Sequence, residues 1–297
     1  MFNGFTSASI EVDETEIFVR HAGRGPGVLL LHGFPQTHIM WRAVAPALTA
    51  DFTVVCADLR GYGASGKPAS TPDHAPYAKR AMARDMVQTM RRLGFERFAV
   101  AGHDRGGRVA YRLALDHPER VERLALLDII PTMDAFDRAD ARLALAFWPW
   151  SLLAQPEPLP EVMVAGAPEA IVDHALSQWG SGSGLAAFPQ HVRDEYVNAL
   201  RSREAVHAIC EEYRAAATLD REHDAADRRA GRTIACPVLA LWSAGSSLDT
   251  WYTDAGGPLG ILRQWAPNVS GRAVRGGHFF PEQNPDETIT ALREFLH

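Results

Sequence analysis

The chain has 297 residues, of which 46% are hydrophobic and 22% charged, and it carries a formal net charge of −6. This is the balance of an ordinary globular protein, and its acidic excess argues against a nucleic-acid partner, whose phosphates require clustered Lys and Arg. Three scattered cysteines, Cys56, Cys210 and Cys236, fit a reducing compartment better than a disulfide framework; with no signal-like N-terminal stretch and no apolar run near ~18 residues, a cytoplasmic location away from membranes is expected.

Residues 17–19 and 28–31 are short apolar runs that read as strands, and 52–57, 98–101 and 124–127 repeat the pattern. Between them, 40–48, 82–93 and 109–115 carry helical periodicity. Strands this apolar, separated by helices, predict a mostly parallel sheet covered on both faces. The pattern changes after Pro131. From Met133 to Arg232 the chain is Ala-rich and helical in period, punctuated by Pro149, Pro156, Pro158 and Pro160 and by Gly180-Ser181-Gly182-Ser183-Gly184. Strand signals return at 237–242 and 269–274, and 286–296 reads as a closing amphipathic helix. The expected organisation is an α/β core over 1–132 and 233–297, interrupted by a helical cap over 133–232 that sits above the strand ends.

The chemistry concentrates in Val100-Ala101-Gly102-His103-Asp104-Arg105-Gly106-Gly107, an apolar run ending in G-x-D-x-G. In hydrolases the central residue of such a motif is a nucleophile on a sharp strand-to-helix turn, usually serine. Aspartate is already ionised at neutral pH, with an ordinary pKa near ~3.9, and needs no base to activate it. It suits displacement of a leaving group from saturated carbon, giving an enzyme ester that water must then open. The competing reading of Asp104 is a helix N-cap.

His278, in Arg275-Gly276-Gly277-His278-Phe279, is the candidate base, because the glycines let backbone approach the site. Two acids are placed to orient it: Asp128, which follows 124–127, and Asp249, several residues beyond 239–242. Nucleophile, acid and histidine in that chain order suit a hydrolase. His32 reads as shaping a loop, and His103 as a structural residue on the other side of its strand. Arg105 and Arg108, three apart at a helix start, share a face. Planar guanidinium groups hold a carboxylate through paired hydrogen bonds, and the helix N-terminus adds positive potential. Gly61-Tyr62-Gly63-Ala64-Ser65-Gly66 spells G-x-G-x-x-G, but Pro68, Pro72 and Pro76 continue it as a loop, whereas a dinucleotide site needs a helix there. No H-E-x-x-H or cysteine cluster is present, so neither a metal nor a cofactor is expected.

Leu31-His32-Gly33-Phe34-Pro35, Asp58-Leu59-Arg60-Gly61-Tyr62-Gly63-Ala64-Ser65 and Gly102-His103-Asp104-Arg105-Gly106-Gly107-Arg108 together resemble the α/β-hydrolase superfamily. Within it they are most similar to the haloacetate (fluoroacetate) dehalogenases, and Asp-Arg-Gly-Gly-Arg is the most specific part. The resemblance implies an α/β-hydrolase fold with a helical cap, a small haloacid as substrate, glycolate and halide as products, and a homodimer. It implies that Asp104 attacks the halogen-bearing carbon, that Asp128 orients His278, and that His278 activates water against the ester. The backbone N–H groups of Phe34 and Arg105 would form the oxyanion hole, Arg105 and Arg108 the carboxylate-binding pair, and Trp150 and Tyr213 halide donors. One position departs from the pattern: where the family places a His before that Trp, Pro149 stands and offers no donor. Fluoride leans most on hydrogen-bond donation to leave, so chloro- and bromoacetate are expected to react faster than fluoroacetate.

An epoxide hydrolase is the nearest alternative. It would use the same Asp, acid and His, with Tyr196 and Tyr213 available to protonate the epoxide, but a neutral epoxide gives the two arginines nothing to bind. A haloalkane dehalogenase would carry Trp where Arg105 stands. A ligand-binding protein that has lost turnover is the rival of another class, disfavoured by the intact nucleophile, base and acid.

Overall fold

The computed structural model describes residues 1–180 and 184–297; residues 181–183, part of the Gly/Ser run noted above, lie outside the described residues. Strands β1 (Thr6–Glu11), β2 (Glu16–Gly23), β3 (Gly27–Leu31), β4 (Thr53–Ala57), β5 (Phe98–His103), β6 (Val121–Leu127), β7 (Val238–Ser243) and β8 (Val269–Val274) form an eight-stranded sheet in the order 1-2-4-3-5-6-7-8. β2 runs antiparallel to β1 and to β4, and every other pairing is parallel. β3 and β5 are buried along their whole length, as apolar strands covered on both faces must be.

The core helices are α1 (Ala45–Leu48), α2 (Lys79–Arg92) and α3 (Arg105–Asp116). Between β6 and β7 the chain is helical: α4 (Thr132–Asp137), α5 (Ala141–Ala146), α6 (Pro149–Leu152), α7 (Leu159–Gly166), α8 (Pro168–Gln178), α9 (Gln190–Ala199), α10 (Arg203–Ala215) and α11 (Arg221–Arg229). A π-helical turn, Ala216–Asp220, joins α10 to α11. After β7 come α12 (Ser247–Trp251) and α13 (Gly257–Leu262), and after β8 come α14 (Phe280–Gln283) and α15 (Pro285–Leu296).

Two local expectations need correction. The segment 40–48 is not one helix but a 3-10 turn, His38–Arg42, followed by the single-turn α1. Pro46 explains the break: it lacks an N–H, and its ring would collide with the carbonyl four residues back, so it is tolerated only in a first turn. β1 has no counterpart in the expected strands, because TSASIE is polar and mostly exposed at the sheet edge.

The register places the site. Parallel pairing sets His103 of β5 opposite Leu127 of β6, and Leu127 opposite Leu241 of β7. The next residues, Asp104 and Asp128, therefore emerge side by side at the C-terminal edge, where open parallel sheets bind their ligands.

Candidate active site

Asp104 sits between β5 and α3 with φ +45° and ψ −116°, a conformation that L-residues rarely adopt and that persists only where the surroundings enforce it. The glycines of the motif make the turn possible. A Cβ on Gly102 would lie 2.4 Å from the Gly106 carbonyl oxygen, and one on Gly106 would lie 2.4 Å from that of His32. Asp104 makes no side-chain capping bond to α3, so the N-cap reading fails. Its Oδ2 accepts the Phe34 N–H at 2.9 Å, and among the described residues its Oδ1 accepts none. Burial alone would raise the carboxyl pKa, but the neighbouring His278, Arg105 and Arg108 outweigh it and hold the group below its ordinary value.

His278 Nδ1 lies 2.6 Å from Asp128 Oδ2, and Asp128 Oδ1 accepts the Ser243 N–H at 2.9 Å. Asp128 is itself held at φ +54°. With Nδ1 bonded to a carboxylate, the acceptor nitrogen of neutral His278 is Nε2. Burial acts to lower the His278 pKa; the hydrogen bond and charge of Asp128, with the charge of Asp104, reverse that and raise it. Asp249 is engaged elsewhere, accepting Trp242 Nε1–H at 2.7 Å and the Gly245 N–H at 2.8 Å. Only Asp128 of the two candidate acids reaches the histidine.

Two further histidines are framework. His103 Nε2 bonds the His278 carbonyl at 2.7 Å, and burial and the neighbouring His278 push its pKa down to about 4. It props the base's loop while staying neutral. His32 Nε2 accepts the Leu59 N–H at 3.1 Å, and its Nδ1 faces the Gly33 carbonyl at 3.0 Å, which fixes the loop that presents Phe34.

Both arginines are buried, and neither forms an ion pair with Asp104 among the described residues. Arg108 donates through Nη1 to the Ile130 carbonyl at 2.9 Å and to Thr132 Oγ1 at 3.3 Å, while its Nε has no partner. Arg105 gives Nε and Nη2 to the Glu212 carboxylate, at 2.9 and 2.6 Å to Oε1, and its Nη1 has no partner. Nothing in the sequence alone singles out Glu212. In Glu211-Glu212-Tyr213-Arg214 it looks like an ordinary helix-surface acid, yet it is fully buried. Its only mark is its position, directly before a candidate site tyrosine.

A cavity of about 40 Å³ lies against Asp104, lined also by Arg108, Asp128, Trp150 and His278 and closed by apolar Ile129, Leu143 and Phe147. Arg105 and Tyr213 do not line it; the Arg105 guanidinium stacks on the Tyr213 ring at 4.0 Å from its centroid, and that of Arg108 on Trp150 at 4.4 Å. Among the described residues neither Trp150 Nε1 nor the Tyr213 hydroxyl has a hydrogen-bond partner. Pro149 opens α6 and is buried. Tyr196, considered above as an epoxide-protonating group, is spent elsewhere: its hydroxyl donates to Glu282 at 3.1 Å. A wider groove, about 900 Å³, opens on the far side of His278 and is lined by Trp148, Trp179 and Trp251. The small cavity is the candidate reaction site, because it alone of the two meets Asp104. No group of residues suited to a metal occurs among the described residues, and none of their helices is long and apolar enough to cross a membrane.

A sequence model of the α/β-hydrolase fold matches residues 26–285. A fluoroacetate dehalogenase from a Burkholderia species is 44% identical, over 100% of this chain and 95% of its own length. A soluble epoxide hydrolase from a Corynebacterium species is 32% identical over 92% and 91%. Among solved structures, a Nostoc protein described as a candidate α/β hydrolase superposes with a TM-score of 0.95 at 46% identity, covering 100% of this chain and 99% of its own.

Proposed function

The chain belongs to the α/β-hydrolase fold family, and from that premise we propose that it is a haloacetate dehalogenase, with chloro- and bromoacetate as its better substrates. Asp104 Oδ1 attacks the halogen-bearing carbon; the new C–O bond forms as the C–halogen bond breaks, and halide leaves with the electron pair. Trp150 Nε1–H and the Tyr213 hydroxyl serve as donors to the departing halide. His278 Nε2 then takes a proton from water, and the hydroxide adds to the Asp104 ester carbonyl carbon. The oxyanion is met by the Phe34 N–H, already on Oδ2, and by the Arg105 N–H at the start of α3, where amides lack intrahelical acceptors. Collapse expels glycolate oxygen, which takes the proton from His278. Asp104 is left as the acid and loses its proton to solvent.

The observation that carries this reading is a pair of buried guanidinium donors without partners, Arg105 Nη1 and Arg108 Nε. Leaving a buried donor unpaired costs about 1–3 kcal/mol, and both guanidinium groups lie against the Trp150 ring that walls the cavity, Arg105 at 5.4 Å and Arg108 at 4.4 Å from its centroid, so an anion bound beside that ring accounts for the two donors. A carboxylate next to the leaving group supplies it; a neutral epoxide does not. The engagement of Tyr196 by Glu282 also removes one of the two hydroxyls an epoxide hydrolase would use. We extend the proposal to a cap over 133–232 that excludes water, a cytoplasmic location and a homodimer. Free thiols at Cys56, Cys210 and Cys236 accord with a reducing compartment.

Purified protein supplied with chloroacetate, bromoacetate, fluoroacetate and a terminal epoxide tests the function. Halide and glycolate released in equal amounts from the acids, with no diol from the epoxide, are expected. Diol formation without halide release would replace this reading with epoxide hydrolysis.

A further inference from the structure

A guanidinium has five N–H donors in a fixed fork, and in Arg105 that fork is divided. Glu212 takes the Nε edge, Tyr213 covers one face, and Nη1 remains buried and unpartnered. Glu212 and Tyr213 are neighbours on α10, whereas Arg105 opens α3 in the core. Cap and core thus meet at the residue beside the nucleophile.

Glu212 has little freedom to move. Its Oε1 also receives Lys79 Nζ from α2, and Oε2 receives the Tyr62 hydroxyl at 3.4 Å. Lys79 is in turn tied to Asp220 of the π-helical turn, by its N–H at 2.8 Å and its Nζ at 3.3 Å. All of these side chains are buried. A buried ion network is weak as a source of stability, but it is well suited to fixing geometry.

Resting on the dehalogenase reading above, we infer that Glu212 is a positioning residue for substrate recognition: it fixes Arg105 so that Nη1 alone is offered to the substrate carboxylate. The acid end of the substrate is then held by one donor from Arg105 and one from Arg108 rather than by a two-pronged grip from a single arginine. Arg105 recognises the anion only while α10 is seated, so cap placement and acid preference are one property.

The test compares chloroacetate with chloroacetamide, which keeps the leaving group and loses the charge. In Glu212→Gln the KM for chloroacetate should rise about ten- to hundredfold, the worth of a charge-assisted hydrogen bond, with kcat changed less than about threefold. The preference for acid over amide should fall by a similar factor. Equal losses on both substrates, or an unchanged preference, would overturn the inference, because a merely structural residue moves both alike. Should the single variant not fold, Glu212→Gln combined with Lys79→Met removes the buried charges as a pair, and the same ratio is read. Wild-type protein that releases no halide from chloroacetate would instead defeat the dehalogenase reading itself.

Discussion

At the scale of single residues, the proposed reaction divides between Asp104, whose carboxyl pKa is held down by the charges around it, and His278, which must be neutral to act. The raised His278 pKa puts a sign on the pH dependence. Protonated His278 cannot take the water's proton, so kcat should fall on the acid side with an apparent pKa above the ordinary imidazole value of ~6.5. Asp128→Asn removes the carboxylate that raises it while leaving burial, which lowers it. The limb should then shift to lower pH and kcat should drop about 10²–10⁴-fold; a pH–rate profile with an unmoved limb would contradict the assignment of Asp128. Position 149 bears on the halogen. With proline in place of a donor, fluoroacetate should turn over about 5- to 150-fold more slowly than chloroacetate, the equivalent of one lost hydrogen bond of ~1–3 kcal/mol. Steady-state halide assays on both compounds check this, and equal rates would show that Pro149 removes nothing the reaction needs.

At the scale of elements, the turn between β5 and α3 and the loop after β3 are fitted to each other without slack. A Cβ on Gly33 would come within 2.5 Å of Asp104 Cβ and 2.6 Å of its Oδ2. Gly33→Ala should therefore displace the nucleophile and lower kcat about 10²-fold, as misplacement near 1 Å does, while thermal unfolding shifts little; wild-type kcat in a folded variant would refute the close fit. Much of this architecture is legible in the sequence because apolar runs at 28–31 and 98–101 have one physical solution, a strand covered on both faces. Asp104 and His278 are legible because glycine-flanked polar residues at strand ends have few structural uses. What is not legible depends on tertiary contact. The Asp128 choice over Asp249 follows from register, which sequence spacing does not carry. Glu212 sits in a helix of mixed polarity, where exposed and buried acids look alike until the partner, Arg105, is known to lie opposite.

At the scale of the molecule, the helices between β6 and β7 are joined to α3 by buried charge as well as by apolar packing. Arg112 of α3 pairs with Asp224 at 2.6 Å and with Asp227, both on α11, and the Tyr111 hydroxyl donates to Asp224 at 2.8 Å. Removing one member of such a cluster strands the others, at about 3–5 kcal/mol. Asp224→Ala should lower unfolding free energy by that amount in a denaturant titration; a loss under ~1 kcal/mol would mean that the seam is held by packing alone. The whole account depends on a covalent ester at position 104. Intact-mass and peptide mass spectrometry of His278→Ala after exposure to chloroacetate measures it directly. A carboxymethyl group accumulating on the peptide that contains Asp104, with one halide released per chain, is the predicted result. Substrate consumed with Asp104 unmodified, or a carboxymethyl group found on another residue in its place, would contradict it.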